Sequence, residues 1–230
     1  MSDPRTQVRD AAVWALGTFR RNLLAFVALA AVVTAVQFLQ QLSLEPLNNV
    51  VAECADAQTP GQQAACASAL AGSALSSGLL TLAFAILTVI VSVGVIRASI
   101  RATLGQEPGF DALLDGHNLG RYLLFQLVYA LMAGLGILLC ILPGLLVIFF
   151  FQLGPFYVLD RSMGIREALT SSARAIRRTL GAAFLMTVLN ALVLLLGGLF
   201  YGLLTLITLP IATLFTAYLY RRFNDEPVID

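Results

Sequence analysis

The sequence predicts an all-α fold, a polytopic membrane helix bundle with six transmembrane helices, and three observations support this prediction. Hydrophobic residues make up 59% of the 230 residues and charged residues only 12%, whereas a soluble domain contains about 25% charged residues. Charged residues are absent from four windows, 22–44, 57–96, 122–159 and 179–220. Each window can hold one or two helices of about 20 residues, and its apolar runs are continuous rather than alternating as in a β-barrel.

The apolar runs also predict where the spans and the connections between them lie. The polar segment 43–77 is expected to be an outer loop, and Leu142-Pro143-Gly144 predicts a tight turn. Pro155 predicts a kink that neighbouring helices can satisfy. The stretch 179–220 is about twice as long as one span, and its glycine-rich midpoint predicts a hairpin turn near 197–203. One integral membrane domain is therefore expected over 1–230, with spans at about 23–42, 78–96, 122–141, 145–159, 180–198 and 202–220.

The arginines predict the orientation of these spans. All 14 basic residues are arginine, and they lie in 1–21, 97–121, 160–178 or 221–230. With six spans these segments share one side of the membrane, which the positive-inside rule makes the cytoplasm. We therefore expect a multi-pass protein of the bacterial cytoplasmic (plasma) membrane with both termini cytoplasmic, since a basic composition without lysine is typical of GC-rich bacterial genes. A cleavable signal peptide at the N-terminus stays open as an alternative.

A short pattern recurs three times and predicts a threefold internal repeat. The pattern pairs an acidic residue with an arginine ten positions later: Asp10 with Arg20, Asp111 with Arg121, and Glu167 with Arg177. An apolar double run begins shortly after each of these arginines. We interpret the unit as one short interfacial amphipathic helix followed by one transmembrane hairpin. Chance matches in an Ala- and Leu-rich chain are the alternative.

The segment 165–178 is predicted to be the clearest of these interfacial helices. Its apolar side chains can share one face while its arginines extend toward water and phosphate. Four arginines are therefore candidates for contact with anionic lipid: Arg166, Arg174, Arg177 and Arg178. An arginine near an anionic membrane surface contributes about 1 kcal/mol. The alternative is that these arginines only set the topology.

Several segments between 100 and 220 carry a family resemblance. They are 134–144 (GLGILLCILPG), 154–160 (GPFYVLD), 167–172 (EALTSS), and the dipeptide Leu209-Pro210 with 218–220 (YLY). Here the chain resembles uncharacterised bacterial six-helix integral membrane proteins that are similar to the membrane domain of glycerophosphoryl diester phosphodiesterases. The resemblance implies a fold and a location. It carries over no catalytic residue, and nothing in the chain matches the soluble phosphodiesterase domain.

Few residues are candidates for chemistry. Cys54 and Cys66 lie in the predicted outer loop, where an oxidising environment favours a disulfide over two free thiols. Cys140 lies in an apolar run and is expected to be a small packing residue. His117 is the one histidine, and without further ligands nearby it is expected in a turn rather than in a metal site. We expect no catalytic residue, no cofactor and no metal.

The polar residues of the predicted spans help to choose between possible functions. Gln37, Gln126, Gln152 and Asn190 are uncharged, whereas ion-coupled transporters carry carboxylates inside the membrane, so we expect interhelical hydrogen bonds. The leading interpretation is a non-enzymatic scaffold, assembly partner or lipid-interacting module. The runner-up is a transporter or channel for a small molecule or lipid, and a membrane-embedded enzyme comes third. The expected partners are membrane lipids, with other membrane proteins left open, and no nucleic acid.

Overall fold

The computed structural model describes residues 3–55, 59–109, 116–198 and 203–229, and within these ranges the chain is helical without any strand. The helices of the described ranges, in chain order, are α1 Pro4–Arg21, α2 Leu23–Ala55, α3 Pro60–Thr103, α4 Leu119–Leu139, α5 Ile141–Phe151, α6 Gly154–Arg161, α7 Ile165–Arg178, α8 Leu180–Gly198 and α9 Thr205–Phe223. The predicted all-α class is confirmed for these residues.

Helix α1 is an amphipathic helix that packs on the bundle. The Asp3 side chain accepts a hydrogen bond from the backbone N–H of Arg5 at 3.0 Å, which caps the helix. The buried side chains recur every three or four positions, as one face of an α-helix requires: Val8, Ala11, Trp14, Ala15, Thr18 and Phe19. This face lies against α8 and α9, while the arginines of α1 are exposed.

Helices α2 and α3 form a hairpin much longer than a membrane requires. They contain 33 and 44 residues, about 50 and 66 Å of helix, against a hydrocarbon core of about 30 Å. The prediction of a loop over 43–77 was therefore wrong for the described residues, because 43–55 continue α2 and 60–77 begin α3. Leu44, Leu47 and Leu70 are half-buried within this pair of helices. We call 43–55 with 60–77 the outer hairpin.

The turn between α4 and α5 lies at Cys140, which is extended with φ −171° and ψ 143°. The predicted turn at 142–144 was wrong, because Pro143 and Gly144 belong to the first helical turn of α5. Proline fits there because the first N–H groups of a helix have no intrahelical partner. The two backbones meet closely, since a Cβ atom added at Gly136 would lie 2.8 Å from the Cα of Gly144.

The kink predicted from Pro155 is present as a break between α5 and α6 at Gln152 and Leu153. A break frees backbone groups that need partners in an apolar setting. The hydroxyl of Ser172 on α7 satisfies two of them. It donates to the carbonyl of Phe150 at 2.8 Å and accepts from the N–H of Leu153 at 3.3 Å.

Five stretches of the described residues are helices long and apolar enough, by length and composition, to cross a membrane. They are Leu23–Ala55, Pro60–Thr103, Leu119–Leu139, Ile141–Arg161 and Leu180–Gly197. Many large apolar side chains on them are exposed; Leu138 and Leu139, for example, are 82% and 83% exposed. These surfaces support a membrane protein with transmembrane helices. Helix α9, which contains Pro210 and ends in Arg221 and Arg222, is outside this set, so the count of six remains a prediction.

Two copies of the predicted repeat share their local structure. A single residue separates α1 and α7 from the apolar helix that follows each, Asn22 (φ −117°, ψ 33°) after α1 and Thr179 (φ −128°, ψ 37°) after α7. Residues 157 positions apart are fully buried in both copies: Ala11 with Ala168, Ala15 with Ser172, and Leu29 with Met186. The acidic start of the other copy, Asp111, and most of the predicted turn near 197–203 lie outside the described residues. The threefold repeat therefore stays a prediction.

Candidate functional site

The four arginines predicted to contact lipid lie on the exposed side of α7. Helix α7 spans Ile165–Arg178, the range predicted from the sequence. Its buried side, Ala168, Ser172, Ala175 and Ile176, faces the bundle. Its exposed arginines are Arg166, Arg174, Arg177 and Arg178, which we call the basic face. None of them forms an ion pair with a carboxylate of the described residues, so their charges are available to an external anion.

The basic face has a fixed position because α7 packs on α5 and α6. The guanidinium carbon of Arg177 lies 5.6 Å from the ring centre of Phe150 on α5, a cation–π distance. Next to it, a cleft of about 530 Å³ is lined by Phe151, Leu169 and three arginines of the basic face. A second cleft, of about 760 Å³, is also lined by Arg178 and includes Arg222 of α9.

Beside the second cleft lies a group of charged side chains that sequence reasoning missed. We call Asp160, Arg161, Arg221 and Glu226 the charge cluster. Arg221 is 8% exposed and donates to Asp160 at 2.8 Å and to Glu226 at 2.5 Å. Arg161 donates to the other oxygen of Glu226. Two cations thus face two anions, a neutral arrangement that lets the charges lie partly buried.

Aromatic and polar groups complete the charge cluster. The hydroxyl of Tyr220 donates to Asp160 at 2.9 Å, and the Tyr157 ring packs on Tyr220 with centroids 4.9 Å apart. The Arg221 Nε also donates to the Thr103 hydroxyl at 3.2 Å. Burial lowers the pKa of Arg221, but its hydrogen bond to Glu226 and the charge of Asp160 raise it, so the net pKa lies above the ordinary arginine value.

The charge cluster joins the ends of three helices. Asp160 and Arg221 lie in the last turns of α6 and α9, and Thr103 ends α3. The C-terminal tail closes over them, since Glu226 belongs to it and the N–H of Ile229 donates to the Thr103 carbonyl at 3.1 Å. The sequence offered one signal for this cluster, since 154–160 and 218–220, two of the segments on which the predicted resemblance rests, contain Asp160 and Tyr220. The pairing of Asp160 with Arg221 spans 61 positions, a separation that no local pattern reveals.

Two of the four polar residues singled out in the predicted spans join helices. Gln152 donates to the Thr187 hydroxyl at 2.9 Å, and Asn190 donates to the Thr216 hydroxyl at 2.8 Å. The interhelical hydrogen bonds predicted for these two residues are confirmed. Gln126 differs, because its Oε1 is buried without a hydrogen-bond partner, and Gln37 is exposed. Gln152 and Asn190 thus belong to separate hydrogen-bonded pairs.

The cysteines and the histidine occupy three different places. Cys54 and Cys66, near the tip of the outer hairpin, bring their sulfur atoms to disulfide distance with Cα atoms 5.6 Å apart. Cys140 is exposed, so its prediction as a packing residue was wrong; the helix break at that position turns it outward. His117 lies in the predicted turn before α4, and its carbonyl accepts a hydrogen bond from Arg97. Across the described ranges, no three His, Cys, Asp or Glu side chains could hold a metal ion together.

The chain is similar to uncharacterized proteins of mycobacteria. One from Mycobacterium bovis and one from Mycobacterium tuberculosis are each 25% identical to it over 137 residues, which is 60% of this chain. The aligned part covers only 42% of the length of these relatives, so what the longer proteins do carries over to this chain only as a proposal. No family model matches the chain, and no solved structure matches it.

Proposed function

We propose that the protein is a non-enzymatic module of the bacterial cytoplasmic membrane that contacts anionic lipid headgroups through α7. It crosses the bilayer six times, with the charge cluster, α1, α7 and the C-terminal tail on the cytoplasmic side and the outer hairpin outside. In this location it acts as a scaffold, an assembly partner or a lipid-interacting protein. The observation that carries the proposal is the basic face, four exposed arginines without an ion pair to a described carboxylate.

Two further observations support this topology. The ends of α3, α6 and α9 meet at the charge cluster, which supports an arrangement in which all three helices end on one side of the membrane. If α9 crosses the membrane, the chain then has an even number of spans. The arginines of α1 and α7 lie next to the same helix ends, where the positive-inside rule places the cytoplasm. The resemblance to the membrane domain of glycerophosphoryl diester phosphodiesterases agrees with a lipid-facing module.

Cysteine labelling from outside tests the topology. In a background without the native cysteines, a probe cysteine at Gln63 on the outer hairpin should react with a membrane-impermeant maleimide in intact cells. A cysteine at the exposed positions Thr170 or Asp225 should react only after the membrane is opened. Position 172 is unsuitable, because Ser172 is fully buried. Labelling at 225 but not at 170 in intact cells would refute the six-span arrangement.

Lipid retention tests the function. We expect purified protein to retain phosphatidylglycerol over phosphatidylcholine in native mass spectrometry, and added salt to weaken the preference because it screens surface charges. The triple variant Arg174→Gln, Arg177→Gln, Arg178→Gln should lose this preference while remaining folded by circular dichroism. Arg9→Gln is the matched control, since Arg9 is exposed on α1 and lines none of the clefts beside α7. Equal retention of both lipids by all variants would leave the arginines as topology signals only.

A further inference from the structure

We propose that the cleft between α1, α7 and α9 holds the phosphate group of a membrane lipid between Arg178 and Arg222. This inference rests on the proposed lipid contact of α7 and deepens it. It names one cleft on that surface, a second arginine that does not belong to α7, and the phosphate group as the chemistry recognised. We call this cleft the phosphate cleft.

The cleft brings together two helix ends that are distant in sequence. Its volume is about 760 Å³, and its walls include Gln7 of α1, Arg178 and Thr179 at the end of α7, and Arg222 at the end of α9. Both arginines are exposed, so their guanidinium groups can turn toward a ligand without leaving a protein partner. Guanidinium groups bind phosphate through two parallel N–H donors, which makes arginine well suited to this ligand.

The charge balance of the cleft favours an anion. Two carboxylates also line it, those of Asp225 and Glu226. Glu226 is already occupied by Arg161 and Arg221 in the charge cluster. Two guanidinium groups therefore face one remaining carboxylate, that of Asp225, so the net charge of these groups is positive. The arginines also lie at helix C-termini, where the helix dipole alone favours a cation, so the experiment must separate binding from this structural role.

The surroundings favour a lipid as the source of the phosphate rather than a soluble ester. A neighbouring cleft of about 490 Å³ shares Arg178 and Thr179 and continues to Leu180 and Gly181 on α8. Leu180 and Phe184 on α8 are 52% and 61% exposed. An apolar surface thus descends from the edge of the arginine pair along a predicted span, where the acyl chains of a bound lipid would lie. A soluble phosphate ester has no acyl chain to bury against this surface, so the surface would not increase its affinity.

The experiment substitutes Arg222, which lies outside α7. Protein is reconstituted in nanodiscs of phosphatidylglycerol and phosphatidylcholine in equal amounts, extracted in mild detergent and analysed by native mass spectrometry for bound lipid. We expect Arg178→Gln and Arg222→Gln each to weaken retention of phosphatidylglycerol about tenfold or more, as the loss of a charge-assisted hydrogen bond does. Arg222→Lys should weaken it less, because the charge remains while the two parallel donors are lost. Arg9→Gln is the control and should retain lipid, because Arg9 is exposed on α1 and lines neither this cleft nor those beside it.

Each outcome decides between the two proposals. If Arg222→Gln retains lipid like the wild type while the triple variant of α7 does not, the phosphate cleft is refuted and the basic face stands. If the α7 variants and Arg222→Gln all retain lipid, both proposals fail. In a parallel arm, protein in detergent receives glycerol phosphate or inorganic phosphate, and its melting temperature is followed. If these soluble anions stabilise the protein as much as phosphatidylglycerol does, and Arg222→Gln abolishes the effect, the phosphate need not come from a lipid. That result would overturn the proposal of a lipid ligand. The melting temperature and circular dichroism of each variant without ligand show that it is folded.

Discussion

Removing Arg221 should expose how much the charge cluster contributes to stability. Arg221 is 8% exposed and its partner Asp160 is 12% exposed, so Arg221→Met leaves a carboxylate that is mostly buried without its cation. Breaking a buried ion pair from one side costs about 3–5 kcal/mol. We take the lower end, about 3 kcal/mol, because Tyr220 still donates a hydrogen bond to Asp160. For a domain of this size that corresponds to a fall of roughly 6–12 °C in melting temperature.

The assay is thermal unfolding in detergent, with a double-mutant cycle to isolate the pair. Asp160→Asn added to Arg221→Met removes the unpaired charge, so the double variant should be more stable than Arg221→Met alone. Arg222→Met is the matched control, because Arg222 is the next residue of α9 but exposed, and exposed substitutions change stability by about 0.5 kcal/mol or less. A melting temperature of Arg221→Met within a degree or so of the control would refute the reasoning. The reasoning would also be refuted if the double variant lost as much unfolding free energy as Arg221→Met and Asp160→Asn lose in sum.

Three further perturbations test the helix break, the tight turn and the outer hairpin. Ser172→Ala should lower the free energy of unfolding by about 1–3 kcal/mol, because two backbone groups at the α5–α6 break lose their partner; a melting temperature equal to that of the wild type would contradict this. Gly136→Ala should destabilise the α4–α5 turn, whereas Gly134→Ala should be neutral or stabilising, since an added Cβ meets nothing within 4 Å there; equal melting temperatures would remove the close approach as the reason. Unreduced protein should resist alkylation at Cys54 and Cys66, and mass spectrometry that finds both thiols alkylated would refute the disulfide.

The sequence predicted the helices that depend on local composition. The range 165–178 was recoverable because its apolar residues follow the helical period and its arginines cluster at the last turn. The apolar runs predicted the core of each long helix, and Pro155 predicted a break. These features are encoded within a few turns of chain, so a single sequence carries them.

Two features failed for identifiable physical reasons. The segment 43–77 was predicted as a loop from its polarity, but Ala, Leu, Gln and Glu favour helix whatever their hydropathy. Leu44, Leu47 and Leu70 are half-buried where α2 pairs with α3. The turn at Cys140 was predicted two residues too late, because proline and glycine were taken as the turn itself. In the structure Pro143 and Gly144 lie in the first turn of α5, and the missing side chain of Gly144 allows its backbone to approach Gly136 closely.

The charge cluster and the basic face depend on packing, and this links stability to the proposed function. The arginines of α7 point outward only if the opposite side of α7 is held against the bundle. Ser172 holds it there through the broken helix, by hydrogen bonds to Phe150 and Leu153. Arg221 holds α9 beside α6 in the same way, which sets the distance between Arg222 and Arg178 across the phosphate cleft. The buried polar contacts thus place the exposed arginines, so Arg221→Met should weaken lipid retention along with stability, whereas Arg222→Gln should weaken lipid retention alone.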